Sequence, residues 1–298
     1  MDLKALLPLA VQASLFLLVL SLGLRATPYD ALYVIRRPRL LARALLAVDV
    51  IPPALTVLVA LVFPLTPVVK IGLLLMAVSP MPPLVPGKQM NAGGNLSYVC
   101  GLLVAVSVLS IVTVPLTVAI VAALFPGGAM VSAGAIARLV AVGVILPLGT
   151  GVTLHALLRE KALRVARSLR FIANIVLVAA VVPVLISVGD GMWTLTGNGT
   201  VLAIVTVVLA ALAGGHFLGG PDETDRTALA IASATRHPGI ALMIARTSFP
   251  GTEAAASLLL YVVVSSLAAV PYNMWRKRRR GTPPAVVNAG ATHRPSPV

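Results

Sequence analysis

Uncharged apolar runs close to 20 residues long constrain this chain more than any other feature. Residues 7–24, LPLAVQASLFLLVLSLGL, and residues 199–220, GTVLAIVTVVLAALAGGHFLGG, contain no Asp, Glu, Lys or Arg. About 20 such residues in a helix cross the roughly 30 Å of a bilayer's hydrocarbon core. A backbone in lipid must satisfy its own polar groups, so these runs fold as membrane helices. The rest of the chain agrees: 58% of its 298 residues are hydrophobic and 11% charged, with a mean hydropathy of +1.00. A soluble domain carries about 25% charged residues.

Apolar runs bounded by charge, Pro and Gly predict nine spans. They lie near residues 6–24, 41–63, 67–94, 95–124, 131–157, 167–189, 199–219, 223–247 and 253–275. The expected fold class is an all-α polytopic membrane protein with about nine transmembrane helices.

The net charge of +14 falls into three clusters: Arg25 with Arg36, Arg37, Arg39 and Arg43; Arg159, Lys161, Arg164, Arg167 and Arg170; and the run RKRRR from Arg276 to Arg280. Threading nine spans alternately across a bilayer puts all three clusters on one side. The opposite connections, PLT, FPGGAM, DGMWTLTGNGT and FPG, contain no Lys or Arg. The excess of basic residues on cytoplasmic loops then predicts an N-terminus outside and a C-terminus in the cytoplasm, in a plasma (inner) membrane. No basic patch is interleaved with stacking aromatics, so a nucleic-acid partner is not expected. The run RKRRR reads as a topology anchor beside the bilayer partner. The single Cys100 excludes a disulfide framework or a thiolate metal cluster. The first apolar run lacks a small-residue cleavage site and reads as a retained helix. Residues 281–298, rich in Pro, Gly and Ala, read as a disordered cytoplasmic tail.

Two spans are interrupted. SPMPPLVPGKQMNAGGN, residues 79–95, has four prolines followed by Lys88, Gln89, Asn91 and Asn95. ATRHPGIALMIA, residues 234–245, sets Arg236 and His237 beside Pro238 and Gly239. Pro83, Pro86, Gly87, Pro238 and Gly239 are the expected helix breaks. Freed backbone groups survive at membrane depth only inside protein or along a wet cavity. After each break an apolar span ends alike, VSVLSIVTVP at Pro115 and VVVSSLAAVP at Pro271, which aligns Ser110 with Ser266. The threading sends these two spans in opposite senses, the pattern of an inverted repeat. Residues 1–280 then form one transmembrane transporter domain, with a first repeat near 6–124 and a second near 167–275.

Matching interrupted spans in two halves point to a transporter's binding site. Half-helix N-termini carry partial positive charge and unpaired N–H groups, which suit an anion. Arg236, His237 and Lys88 add positive character there. The expected substrate-binding set is Lys88, Gln89, Asn91, Asn95, Arg236 and His237, with Ser110 and Ser266 supporting.

The break followed by GIALMIA resembles the second crossover of the bile acid/sodium symporter superfamily, where a Gln-Asn pair precedes a Gly-Leu-Ala run. Arg236 and His237 stand at the place of that pair, and Gly239, Ile240 and Ala241 match the run. Residues 36–63 resemble the family's basic-Pro loop entering a proline-kinked span, and Gly94-Asn95 resembles the Gly-Asn after its first crossover. Nine spans with the N-terminus outside is similar to members lacking one N-terminal helix. The resemblance implies a panel domain, a core domain, a site where the broken helices cross, and alternating access.

Departures bear on the coupling ion. The family's sodium sites use a glutamate four residues before the Gln position, and that position here is Ala232. A guanidinium about 4 Å from a sodium ion costs about 4 kcal/mol at an effective dielectric of 20, close to a thousandfold in affinity. The expectation is loss of at least one sodium site, and no cofactor.

Asp49 is the one carboxylate deep in a predicted span: a proton site, a counter-ion for a buried arginine, or a hydrated group at a bend near Pro52 and Pro53. His237 either relays protons or satisfies backbone freed by Pro238. Arg246 snorkels or pairs with Glu253. No metalloprotease, serine-hydrolase or phosphate-loop motif is present, and DETD, residues 222–225, reads as an acidic helix start, so no enzyme is expected. The expected function is secondary transport of small or amphipathic organic anions. The competing class is a non-transporting membrane receptor or scaffold with the same fold.

Overall fold

A computed structural model describes residues 3–124, 132–248 and 254–280. The tail expected at 281–298 lies outside the described residues, as does Glu253. Helix α1 (Leu3–Gly23) leads through the short α2 (Pro28–Ala31) into α3 (Pro38–Leu45), a π-helical turn (Leu46–Val50) and α4 (Ile51–Val62). Then come α5 (Pro67–Val78), α6 (Val85–Ala92) and the long α7 (Leu96–Leu124). After α8 (Ala133–Val140), a second π-helical turn (Ala141–Ile145) runs into α9 (Leu146–Leu158). Helices α10 (Ala162–Ser187), α11 (Gly189–Thr194), α12 (Thr200–Leu218), α13 (Glu223–Ala234), α14 (Pro238–Ser248), α15 (Ala254–Ala268) and α16 (Val270–Arg280) complete the order.

Among the described residues, eight helical stretches are long and apolar enough to cross a membrane. Helix α5 is apolar but 12 residues long, so it reaches membrane length only together with α6 beyond its break. These eight stretches and the broken pair coincide with the runs of the sequence reading.

Both π-helical turns sit immediately before proline, the first ahead of Pro52 and Pro53 and the second ahead of Pro147. A proline ring collides with the carbonyl four residues back, and a wider turn relieves that collision without ending the helix.

Helix α1 packs chiefly on α9 and α10. At the α1–α9 contact a Cβ on Gly23 would lie 2.5 Å from the Leu148 carbonyl oxygen and 2.9 Å from the Gly151 Cα. Only glycine permits that approach, the usual way membrane helices bring backbones together. A second group forms around α12, which packs on α13, α4 and α15, while α5 packs on α15, α4 and α14. Burial separates the two groups: 72% of the Glu223–Arg246 stretch is buried, against 11% of Ala162–Ser187. The second broken segment is therefore central, and α10 lies at the rim.

Outside the spans, Thr27 and Asp30 cap α2 reciprocally, with the Asp30 carboxylate accepting from the Thr27 N–H and hydroxyl at 2.7 Å each. Asp30 also accepts from the Ser97 hydroxyl at the start of α7. Burial pushes its pKa up, but the hydrogen bonds from Ser97 and Thr27 outweigh it and hold the carboxyl below its ordinary 3.8.

Candidate functional site

Proline arithmetic builds the centre of this molecule. A helical carbonyl takes an N–H from four residues on, or three or five in tighter or wider turns. The Val48 carbonyl faces Pro52 and Pro53 at positions four and five, whereas Ser79 is extended just past the end of α5, so its carbonyl has left the helix and its donors. Neither proline has an N–H to give. The Ser233 carbonyl loses its donor differently: the His237 N–H, four residues on, turns away to the Ser79 hydroxyl at 3.2 Å.

One side chain takes up all three carbonyls. Arg236 donates through Nη2 to Val48 O at 2.7 Å and to Ser233 O at 2.8 Å, and through Nη1 to Ser79 O at 3.2 Å. It is 3% exposed. The guanidinium offers five donors in a rigid fork and stays charged, so it suits a buried cluster of carbonyl oxygens. The two breaks expected from the sequence therefore touch, Ser79 in the first meeting Arg236 and His237 in the second. Gln89 adds a tie between the same segments by donating to the Ala228 carbonyl at 2.8 Å.

Asp49, next to Val48, lies within electrostatic reach of Arg236 and beside Thr113. Its Oδ2, the Thr113 hydroxyl and Arg236 Nε are buried without a hydrogen-bond partner among the described residues. The described residues contain one ion pair, Arg276 to Glu223 at 3.1 Å, at the start of α13.

Beside the joined breaks is a cavity of about 350 Å³. Its inner wall is apolar, with Pro82, Leu84, Leu212, Ile231 and Val262, and Arg236 and Pro238 contribute from the second break. Lys88 and Asn91 of α6 and Asn273 and Lys277 of α16 also line it. Among the described residues no Asp or Glu lines it. Arg170 of α10 reaches Asn91 Oδ1 at 2.8 Å and links the α1–α9–α10 group to the cavity rim.

Of the expected substrate-binding residues, Lys88, Asn91, Arg236 and Ser266 line this cavity, and Gln89, Asn95, His237 and Ser110 do not. Each of the latter is turned to backbone. Gln89 is fully buried against α13. Asn95 caps α7 by accepting from the N–H groups of Ser97 and Tyr98 at 2.9 and 3.3 Å. Ser110 donates to Ser107 O one turn back. His237 Nδ1 accepts the Ile240 N–H at 3.3 Å, which caps the first turn of α14 and makes Nδ1 the unprotonated nitrogen. Arg236 itself spends its terminal donors on carbonyls. Of the expected breaks, Pro83 lies in the turn between α5 and α6, Pro86 and Gly87 lie inside the first turn of α6, and Pro238 and Gly239 begin α14.

Sequence reasoning missed Asn273, and missed Lys277 because RKRRR read as a topology anchor. Arg276 is instead buried on α13, donating to the Thr227 hydroxyl and Glu223. The signal was present: Val262, Ser266, Ala269, Asn273 and Lys277 recur every three or four residues on one helical face, and all five line the cavity.

A family model described as Sodium Bile acid symporter family matches residues 13–214. That interval takes in the first break and α7 but ends ahead of Arg236. No curated protein matches the chain.

Proposed function

Because the chain belongs to the Sodium Bile acid symporter family, and is a membrane transporter of that type, we propose that it carries small or amphipathic organic anions by alternating access. The observation that carries the reading is the cavity beside the joined breaks, which holds Lys88 and Lys277 and no carboxylate among its described lining residues. An organic anion with an apolar part finds both of its requirements there: ammonium and amide groups, and aliphatic lining. Alternating access in this reading rocks the α1–α9–α10 group against the α12-centred group. Arg170 on Asn91 is a contact such a motion must remake.

Transport in this reading is independent of sodium. Carbonyl oxygens freed at helix breaks are ligands suited to a hard cation. Here the guanidinium of Arg236 takes them up, so the positive charge is built into the chain and a second cation at the same oxygens is repelled. The role of Arg236 is to hold the breaks together, and its charge adds to the field that draws an anion inward. Asp49 is the group assigned to coupling, carrying a proton where sodium is not used.

Uptake of radiolabelled carboxylates into liposomes holding the purified protein tests this. Flux above protein-free liposomes, unchanged when sodium is replaced by choline, is expected. A tight binder that produces no flux would refute transport.

A further inference from the structure

The cavity's cations are arranged in a way that specifies more than "anion". Helix α6 presents Lys88 and Asn91, three residues apart and so on one face. Helix α16, packed against α6, presents Asn273 and Lys277, four residues apart on one face. Each of two neighbouring helices thus offers one ammonium and one amide to the same cavity. Neither lysine has a carboxylate to pair with at the cavity, and the neighbouring Arg276 is already taken by Glu223. Arg170 brings a third cation to Asn91.

We propose that the substrate is a compact organic dianion, whose two carboxylate-type charges dock between Lys88–Asn91 on α6 and Asn273–Lys277 on α16 while its apolar body lies along Ile231 and Val262. A monoanion neutralises one ammonium and leaves the second without a counter-charge beside apolar lining. A dianion neutralises both, and each amide supplies a donor to a carboxylate oxygen. The volume of about 350 Å³ lies at the low end of small-molecule sites and selects a short body. The proposal rests on the transport reading of this cavity and adds the charge number of its cargo.

The test uses the full-length protein in detergent and in liposomes, with dicarboxylates of four to eight carbons and the monocarboxylates of equal length as probes. Dicarboxylates should bind about tenfold tighter than their monocarboxylate partners, the worth of one added charge pair of about 1.4 kcal/mol. Lys88→Gln or Lys277→Gln should each cut that ratio, Lys88→Gln/Lys277→Gln should bring it to about one, and Lys277→Arg should keep it. Both lysines are exposed to the cavity, and thermal unfolding checks that each variant stays folded. Equal binding of the two acid classes by the unmodified protein overturns the proposal, as does a preference that survives in the double variant. Either result leaves monoanion transport standing, whereas absence of all carboxylate flux removes the transport reading itself. Displacement of bound dicarboxylate by added phosphatidylglycerol, with no dicarboxylate uptake, would assign the cluster to lipid headgroups and also overturn the proposal.

Discussion

Arg236 stands in for the backbone donor that Val48 lacks: its Nη2 lies 2.7 Å from the Val48 carbonyl oxygen, whose regular helical partners are both prolines. The same guanidinium holds Ser79, which lies extended past the end of α5, and Ser233. Burying an arginine is costly. Three orphaned carbonyls at membrane depth cost about 1–3 kcal/mol apiece, so one fork that answers all three offsets much of the burial.

If the three carbonyls form a cation pocket that Arg236 fills from within, emptying it should create an ion dependence. Arg236→Gln is expected to unfold at lower temperature than the parent in choline buffer, and to be restabilised by sodium at millimolar concentration. The parent protein should show no sodium shift. Differential scanning fluorimetry in detergent reads both, and a parent protein that sodium stabilises would contradict sodium independence.

Asp49 should govern coupling. An inward-directed proton gradient is expected to stimulate anion uptake by the parent protein, and Asp49→Asn should abolish that stimulation while still exchanging substrate across equal pH. Counterflow measured beside gradient-driven uptake separates the two effects. Stimulation that persists in Asp49→Asn would assign the proton elsewhere.

Much of this architecture was legible in the residues themselves. The apolar runs located the helices because lipid leaves a chain no other way to satisfy its backbone. Pro82, Pro83 and Pro238 announced the breaks because proline lacks a donor. What periodicity could not convey was which side chains turn into the cavity beyond a break, where helical phase is lost. Lys88 and Asn91 face the cavity, while Gln89, between them, is buried on α13. The polar residues His237, Asn95 and Ser110 were drawn to nearby backbone groups, a use that composition does not distinguish from ligand binding. Lys277 was masked by its basic neighbours, and only its helical spacing from Val262, Ser266, Ala269 and Asn273 marks it out.

Asp30 gives a stability prediction with a definite sign. Its folded pKa is held below 3.8, so its contribution is full above that unfolded value and fades as pH falls through the lower folded one. Asp30→Asn weakens the charge-assisted hydrogen bonds from Thr27 and Ser97 and should cost about 1–2 kcal/mol at pH 7, and progressively less as pH falls below 3.8. Unfolding midpoints across that range check it; a cost independent of pH would contradict the charged cap.

The most direct test of the central claim is a stability cycle between Arg236 and the prolines that free the Val48 carbonyl. Arg236→Gln, Pro52→Ala/Pro53→Ala and their combination are compared by unfolding in the same detergent. If the guanidinium replaces missing backbone donors, restoring N–H groups at 52 and 53 makes Arg236→Gln less damaging by about 1 kcal/mol or more, the worth of one recovered buried hydrogen bond. Losses that simply add would contradict the account.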